Sequence, residues 1–458
     1  MRHTTRIMDI VQRSLEGPII EEDDFNNKSI SQGLARAVKK YEIKVNKDQI
    51  INFDDQLADR VWNAAVDFLA SCGVFCQSTG RVIQFSKEEI VAILKTAPDN
   101  VWVGAGTDKV LEVARKVEDP RRPLLMGSPI GSAIEEEYFV PSMISYVQEP
   151  EVDVTMAPTL EKIYNYDIRT RSPLEIMAAW REAELTLEAM RRVGRPGMAF
   201  TGLGMSISDV GQLSADGPGG LRNTDLHTFG IISELKTNFE ILNKLTHILY
   251  RDGIVDPYAN PIYGGLGGGM DGQAVLITAA MIALNVFFMA TCVGSSPTHP
   301  FNFNDTGKEV MIPTSLAFQA LARNSHLMTN LTNTPVGGPG TKTLLYECVA
   351  FTVMNTVSGA SRLLGPRSAT GSITGHFSGL EARITGELLG AASKLNREQA
   401  EEIVQKAYAK YEADLTKQPY GKHFKEVYNL KTIQPTDEWL KMYEDVKNEV
   451  SGWGLSFD

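Results

Sequence analysis

The chain is poor in cysteine, with four among 458 residues. So few thiols exclude the disulfide framework of a small secreted protein. Runs of Lys or Arg are also missing and the formal net charge is −11, which argues against binding to nucleic acid or to an anionic membrane. The first residues, MRHTTRIMDI, lack the apolar stretch of a signal peptide. Together these absences predict a cytoplasmic protein.

Two cysteines, Cys72 and Cys76, are four residues apart and could share a metal if both lay on one helix. No cluster of His or Cys completes such a site nearby in the sequence. We therefore expect buried, apolar cysteines and no metal site.

One segment, 272–298, carries no charged residue and is long enough to cross a bilayer. It contains polar residues such as Gln273 and Asn285, and the sequence has no second segment of this kind. A helix that is enclosed by protein is apolar on all sides for the same reason. We therefore expect a buried helix and no membrane insertion.

From about residue 123 onward, short apolar runs alternate with longer helical patterns. This alternation is typical of βα units around a parallel sheet. With no linker between the units, it favours a (β/α)8 TIM barrel over a doubly wound open sheet, which is the alternative α/β fold. Candidate strands are 123–127, 152–156, 197–201, 260–264, 300–303, 327–332 and 362–365, with the eighth placed at 212–215. Candidate helices are 173–193, 228–250, 273–289, 308–322, 343–357 and 380–395.

Helical patterns also lie on either side of the candidate barrel. We expect one structural domain overall, with a mainly helical N-terminal region at 1–120, the barrel at 121–396 and a helical C-terminal extension at 397–458. The best-signalled helix has Ser172 as N-cap, Pro173 at its first position, Glu175 completing a capping box and Gly194 beyond its end. Thr201 then falls at the carboxyl end of the next strand, where barrel enzymes build their active sites.

The glycine-rich segment 264–272 has a Gly-x-Gly-x-x-Gly pattern that includes Gly267 and Gly269. The acidic residue that a dinucleotide site needs about 20 residues later is missing. The glycines instead suit a loop that approaches a bound group closely, such as a flat macrocycle or its phosphate tail. A tight turn without a ligand is the alternative.

Few single residues stand out as chemical groups. His299, at the end of the long apolar segment, is a candidate proton donor or polar substrate anchor, with a structural hydrogen-bonding role as the alternative. Asp225 is expected to cap the next helix. Asp216 reads as a turn residue that could pair with a bound cation. No nucleophile elbow, P-loop or carboxylate pair appears, so no catalytic residue is assigned.

Several motifs occur in a consistent order along the chain: CGVFC, GSPIGS, GRPGM, SADGPGGL, NPIYGG, LEARITGE and GKHFKEVYNLKTIQPTDEW. In order and spacing they resemble the monomethylamine:corrinoid methyltransferases of methylamine-using microbes. The resemblance implies a (β/α)8 barrel that assembles as a homo-oligomer, a hexamer. It further implies transfer of a methyl group from an N-methyl compound to Co(I) of a corrinoid. That corrinoid is carried by a separate partner protein, and this chain binds no cofactor itself.

The resemblance also points to the substrate pocket. Where the family has pyrrolysine, this chain has Thr201, and the family's neighbouring Glu falls on Tyr258. The family's Gln and a second Tyr fall on Thr332 and Thr334. Four changes together indicate a pocket reshaped for another substrate. His299 and Asp216 stay in register with family counterparts.

A quaternary ammonium already carries its charge and leaves as a neutral amine, so it needs positioning rather than covalent capture. Aromatic faces hold such cations, which suits Tyr258 and Tyr263. The three threonines would line the pocket and hydrogen-bond a polar tail. Gly267, Gly269 and Gly337 mark the loops expected to face the corrinoid.

The leading hypothesis is therefore a corrinoid-dependent methyltransferase for a quaternary amine or betaine. One alternative is a non-catalytic barrel that binds a small molecule or a corrinoid protein. Another is a monomethylamine methyltransferase that works without pyrrolysine.

Overall fold

Eight parallel strands, each followed by a helix, form the centre of the molecule. The computed structural model describes residues 2–217 and 219–457, so Met1, Pro218 and Asp458 lie outside the described part. The strands are β1 (Leu124–Met126), β2 (Val154–Ala157), β3 (Ala199–Gly202), β4 (Leu226–Gly230), β5 (Ile254–Ala259), β6 (Cys292–Ser295), β7 (Met328–Thr332) and β8 (Arg362–Leu364). The helices that follow them are α1 (Glu136–Val147), α2 (Pro173–Arg192), α3 (Asp209–Ala215), α4 (Phe239–Tyr250), α5 (Met270–Phe288), α6 (Lys308–Asn324), α7 (Lys342–Ser358) and α8 (Gly379–Ala392).

The hydrogen-bonded order of the strands is β4-β5-β6-β7-β8-β1-β2-β3. Its two end strands, β3 and β4, lie side by side. The sheet is thus a nearly closed barrel surrounded by helices, which confirms the (β/α)8 prediction.

Five of the candidate strands overlap observed ones, and three were wrong. Segment 212–215 lies in α3, whereas the strand missing from the prediction is β4, which overlaps the start of the helix expected at 228–250. That helix begins only at Phe239, after Asn238 accepts a hydrogen bond from the Ile241 N–H. Segments 260–264 and 300–303 lie just beyond β5 and β6.

A local feature of the sequence explains why the predictions for β5 and β6 were displaced. β5 contains Pro257, a residue that rarely occurs inside a strand because it has no N–H to donate. β6 lies in the uncharged segment 272–298, directly after α5. Met289 ends that helix in the left-handed conformation, with φ 51°, without the Gly or Pro that would signal a boundary.

An antiparallel hairpin, Asn100–Val103 with Val110–Val113, closes the amino-terminal end of the barrel. The N–H groups of Gly104 and Ala105 donate to carbonyls just before β4 and β3. The hairpin places Val103 in the apolar cluster inside the barrel and the fully buried Glu112 beneath the strands. The opposite, carboxyl-terminal end remains as the side on which a site can open.

A further helical layer surrounds the barrel. Helix Asp55–Cys72 packs against α5 and α6, and helices Arg397–Tyr411 and Asp437–Ser451 pack against α7. By length and composition alone, α5 could span a membrane. It is covered on both sides, however, and 94% of its most apolar 18-residue stretch is buried inside the protein. The expected buried helix is confirmed.

The N-terminal region contains further helices and two strands. They are the helices Arg2–Glu16, Glu22–Asp24, Phe25–Ser31, Gln32–Lys40 and Lys87–Leu94, and the strands Val74–Cys76 and Arg81–Ile83. Cys72 and Cys76 are free and buried, as expected, but Cys76 lies on a strand and not on the helix of Cys72. The boundaries at residues 120 and 396 stay a prediction, and all elements of the barrel lie between 124 and 392.

Candidate active site

A cavity of about 100 Å³ lies at the carboxyl ends of the barrel strands. Its apolar lining consists of Ile130, Met156, Leu203, Phe229, Tyr258 and Leu364. Its polar lining consists of Thr228, Asn260, Ser296, Thr332 and Arg367. These residues come from all eight strands or the loops after them, so the cavity occupies the face on which TIM-barrel enzymes place their chemistry.

Two larger clefts occur elsewhere on the described part of the chain. One, of about 400 Å³, lies between segment 44–57 and α6. The other, of about 670 Å³, lies beside the start of α1. Neither is lined by the end of a barrel strand, so location in the fold selects the smaller cavity.

Tyr258 forms part of the cavity wall through a close contact with the next strand. Tyr258 on β5 pairs with Gly294 on β6, and a Cβ at position 294 would lie 2.2 Å from Cε1 of the tyrosine ring. The absence of a side chain at Gly294 is therefore what admits the ring. The Tyr258 hydroxyl is buried and has no hydrogen-bond partner among the described residues. Burial, together with the Asp256 carboxylate, raises the pKa of Tyr258, so the hydroxyl is neutral.

An ionic network lies beneath the cavity, inside the barrel. The Arg362 guanidinium contacts Oδ1 of Asp256 at 2.6 Å and Oε2 of Glu112 at 2.9 Å. Thr228 Oγ1 and Asn330 Nδ2 donate to the two Asp256 oxygens at 2.9 and 3.2 Å. Although burial alone would lower it, the two carboxylates hold the pKa of Arg362 well above its usual value. This network fixes β4, β5, β7 and β8 to the hairpin below them.

Arg367, in the loop after β8, has the opposite environment. Its backbone N–H donates to the carbonyl of Asn333 at 2.8 Å, and its half-buried guanidinium lines the cavity. That guanidinium forms no ion pair and no hydrogen bond with any residue that the structure describes. Burial lowers the pKa of Arg367, and only the charge of Asp305 opposes the effect.

Asp305 does not neutralise Arg367. Both of its carboxylate oxygens accept the backbone N–H of Thr334, at 2.8 and 2.9 Å. Burial raises the pKa of Asp305 well above its usual range, which favours the protonated, uncharged form. Among the described residues, the cavity lining thus contains one cationic side chain and no carboxylate.

Four of the sequence-predicted pocket residues come together at this face. Tyr258 and Thr332 line the cavity. Thr201 is buried on β3 opposite Met156 of the cavity wall, and it projects inward because Ala199, two residues earlier, belongs to the interior cluster. Thr334 is buried two residues beyond β7 and is tied to Asp305. The geometry thus groups these residues, while their roles stay a prediction.

Tyr263 and His299 lie in the loops after β5 and β6 and are not part of the cavity lining. Their rings stack, with centroids 6.1 Å apart and an interplanar angle of 20°. Nδ1 of His299 accepts the backbone N–H groups of Phe301 and Asn302, each at 3.4 Å. His299 therefore has a structural role in its loop.

Asp216 is not brought to the cavity. It follows α3, near the amino-terminal end of β4, and its carboxylate contacts His227 at 3.1 Å, His247 at 3.3 Å and Arg251 at 3.5 Å. Although burial would raise it, the hydrogen bonds from the two histidines lower the pKa of Asp216. This geometry is that of an ionic cluster that joins α3, α4 and β4.

The expected helix cap at Asp225 is also wrong, because Asp225 precedes a strand. Its carboxylate pairs with Arg222 at 2.7 Å. The capping box expected from Glu175 does not form either. Glu175 instead accepts the N–H and hydroxyl of Ser208, at 3.0 and 2.8 Å, and so ties α2 to the start of α3.

The three glycines expected to face the corrinoid differ in exposure. Gly269 is exposed at the start of α5, whereas Gly267 and Gly337 are buried. The Gly337 N–H donates to Oε2 of Glu347 at 2.8 Å, and the Thr306 hydroxyl donates to Oε1 of the same side chain at 2.6 Å. Burial raises the pKa of Glu347 to about 7. Gly337 thus belongs to a packed junction between the loops after β6 and β7.

The sequence did not single out Arg367, Thr228, Asn260 or Ser296. The last three follow from strand positions, since Thr228 lies on β4 and the other two lie just after β5 and β6, the strands that the sequence misplaced. Arg367 lies in a loop that shows no motif around the arginine. Whether a charged side chain is paired can be seen only in the folded structure, so the sequence could not identify Arg367.

The barrel, the open carboxyl-terminal face and the polar cavity define a TIM-barrel enzyme. Comparison with known proteins identifies the family. The family model "Monomethylamine methyltransferase MtmB" matches residues 5–455. Monomethylamine methyltransferase MtmB2 of Methanosarcina acetivorans is 29% identical, and MtmB of Methanosarcina mazei is 28% identical, each over 98% of both chains.

Solved structures agree with this assignment. The crystal structure of Methanosarcina barkeri MtmB superposes with a TM-score of 0.94 at 28% identity, over 98% of both chains. A hydroxylamine complex of MtmB matches equally well. The chain therefore belongs to the MtmB family of corrinoid-dependent methylamine methyltransferases, and it is a methyltransferase.

Proposed function

We propose that this chain takes a methyl group from a quaternary methylammonium compound or betaine, rather than from monomethylamine, and passes it to a corrinoid on a separate protein. The observation that carries the proposal is the chemistry of the cavity wall, which offers the Tyr258 ring and no carboxylate. A protonated primary amine has no anionic partner there. By the resemblance, Thr201 replaces the pyrrolysine that would capture such an amine.

In this proposal each side chain positions the substrate. The Tyr258 ring attracts the cationic nitrogen, which contributes about 0.5–2 kcal/mol to binding. Thr201, Thr332 and Thr334 supply hydroxyl groups at the same face. Tyr263 and His299 lie in the loops after β5 and β6. Asp216 has no part in binding, because it lies in a separate ionic cluster.

The carboxyl-terminal face fits a partner that brings a macrocycle to the cavity. Large apolar side chains of the loops after β5 and β6 are exposed there, with Ile262 at 42%, Phe301 at 79% and Phe303 at 57%. The exposed Gly269 lies in the same loop region as Ile262. The corrinoid supplies a Co(I) nucleophile when it is bound at this face, and the chain's own task is to orient the methyl group and exclude water.

The test is to mix the protein with a corrinoid protein reduced to Co(I) and to follow the methyl-Co(III) absorption. Glycine betaine, tetramethylammonium and monomethylamine serve as donors. A response to a quaternary donor but not to monomethylamine supports the proposal. Methylation by monomethylamine alone contradicts it, and binding of ligands without methyl transfer to any corrinoid protein favours the non-catalytic barrel.

Two variants probe the aromatic contact. Tyr258→Phe keeps the ring face, whereas Tyr258→Leu keeps only apolar bulk. The Leu variant should lose about 2–30-fold in kcat/KM for a quaternary donor, as expected for the loss of one cation–π contact, and the Phe variant should lose less. If Thr201→Ala abolished activity on monomethylamine, pyrrolysine-free use of that amine would be favoured instead.

The proposal includes a cytoplasmic homo-oligomer, a hexamer by the resemblance. Light scattering after size exclusion should give a mass six times that of the 50.4-kDa chain. A monomer mass would contradict this part without affecting the rest.

A further inference from the structure

The guanidinium of Arg367 lines the cavity and has no ion-pair or hydrogen-bond partner among the described residues, and its Nε is buried. Other buried or half-buried arginines of this chain have hydrogen-bond or ion-pair partners. Arg115 donates to four backbone carbonyls at 2.7–2.9 Å, Arg195 donates to three carbonyls, and Arg362 pairs with two carboxylates. The fold therefore provides partners for buried arginines elsewhere, but none for Arg367 among the described residues.

An arginine cannot escape this situation by losing its proton, because its guanidinium stays charged at neutral pH. A partly desolvated charge without a partner is unfavourable. The structure nevertheless holds Arg367 in place. Its backbone is bonded to Asn333, and its side chain lies across Gly371, where a Cβ would come within 2.1 Å of Nε. The guanidinium is thus held in the cavity wall with no anionic partner in residues 2–217 and 219–457.

We infer that Arg367 binds a carboxylate of the methyl donor. The substrate class is then a methylammonium compound with an acidic group, a betaine or an N-methylated amino acid. That the bound compound donates a methyl group rests on the proposed function. That Arg367 binds its carboxylate does not. Tyr258 and Arg367 line the same cavity, so the ammonium group lies against the ring while the carboxylate meets the guanidinium, for which a bidentate pair is the favoured geometry.

Charge in the cavity supports the same class. A zwitterion adds no net charge and supplies the missing anion, whereas a simple methylammonium cation adds a second positive charge beside Arg367. No carboxylate of the lining offsets that repulsion. The paired Asp256 below is already bonded to Arg362, Thr228 and Asn330, so it offers little to a second cation.

The test is calorimetric titration of the full chain with two probes that share a quaternary nitrogen. Glycine betaine has a carboxylate and tetramethylammonium has none. The wild type should bind glycine betaine at least about tenfold more tightly, as expected for a charge-assisted hydrogen bond. Arg367→Met should remove that preference, and Arg367→Lys should restore part of it. Arg191→Met, an exposed position at the end of α2, is the matched control and should behave like the wild type.

Equal affinity for the two probes in the wild type overturns the inference, as does failure of both to bind. An equal loss for both probes in Arg367→Met, with no recovery in the Lys variant, also overturns it, because this would show that the side chain only supports the cavity. Acetate should compete with glycine betaine for the wild type but not for the Met variant.

The two proposals fail separately. A carboxylate preference that depends on Arg367, without any methyl-Co(III) from a corrinoid protein, would end the proposed methyl transfer from such donors and leave the inference intact. Methyl transfer from tetramethylammonium as fast as from glycine betaine would overturn the carboxylate inference and leave the proposed methyl transfer intact.

Discussion

Arg362 and Arg367 are five residues apart in the sequence, yet they lie in contrasting environments. Arg362 is fully buried inside the barrel between two carboxylates. Arg367 lines the cavity above it and has no partner among the described residues. The difference separates two uses of the same side chain. A paired charge fixes the strands to one another, whereas an unpaired one at a cavity is available to a ligand.

Glu182 on α2 shows how a buried carboxyl group without a cation behaves. Its Oε1 accepts the Leu160 N–H at 2.8 Å, and Oε2 has no partner among the described residues. Burial raises the pKa of Glu182 to about 8. The carboxyl group thus becomes neutral by binding a proton. Arg367 has no such route, so its partner must be a ligand or water that enters the cavity.

The largest effect is expected at the paired arginine. Arg362→Met should destabilise the fold by about 3–5 kcal/mol, because it leaves a buried carboxylate without its cation. Thermal or urea unfolding measures the loss. The double variant Arg362→Met with Asp256→Leu should recover part of it, and unchanged stability in the single variant would show that the network is not structural.

Glu182 gives a pH-dependent effect. Its folded-state pKa lies above that of the unfolded chain, so between about pH 4.5 and 8 the folded state holds a proton that the unfolded state has lost. Stability from this group is therefore present at low pH and is lost as the pH rises, by at most about 1.4 kcal/mol per unit. Glu182→Gln should flatten that slope.

This effect is tested by measuring the melting temperatures of the wild type and of Glu182→Gln from pH 5 to 8. Glu184→Gln, an exposed position on the same helix, is the control and should keep the wild-type slope. Identical pH profiles for the wild type and Glu182→Gln would mean that Glu182 is ionised in both states.

A smaller loss of folding stability is expected at the contact between Tyr258 and Gly294. Gly294→Ala places a Cβ about 2 Å from the ring, which should cost about 1–3 kcal/mol as overpacking and should weaken binding of a quaternary donor. In a Tyr258→Ala background the same change should cost little. A cost that is equal in both backgrounds would place the strain elsewhere.

The smallest stability effect is expected at the unpaired arginine. Arg367→Met should change the free energy of unfolding by less than about 1 kcal/mol, and a gain would not be surprising where a charged group is kept for binding. Urea unfolding beside Arg362→Met gives the contrast directly. A loss as large as that of Arg362→Met would reveal a structural partner and remove the distinction.

The sequence predicted the barrel because hydrophobic alternation and caps are local signals. It also placed Thr201 at a strand end through Ser172 and Gly194. It misplaced β5 because Pro257 is unusual inside a strand, and it misplaced β6 because no Gly or Pro marks the end of α5 at Met289. It placed Asp216 in the pocket through resemblance, whereas the structure pairs that residue with His227 and His247. The unpaired state of Arg367 depends on contacts between distant segments, which no local pattern encodes.

The most direct measurement is a crystal structure of the protein soaked with glycine betaine. We expect density in the cavity at the carboxyl ends of the strands, with the trimethylammonium group against the Tyr258 ring and the carboxylate within hydrogen-bond distance of the Arg367 guanidinium. Density at another cleft, or a carboxylate directed away from Arg367, would contradict this expectation.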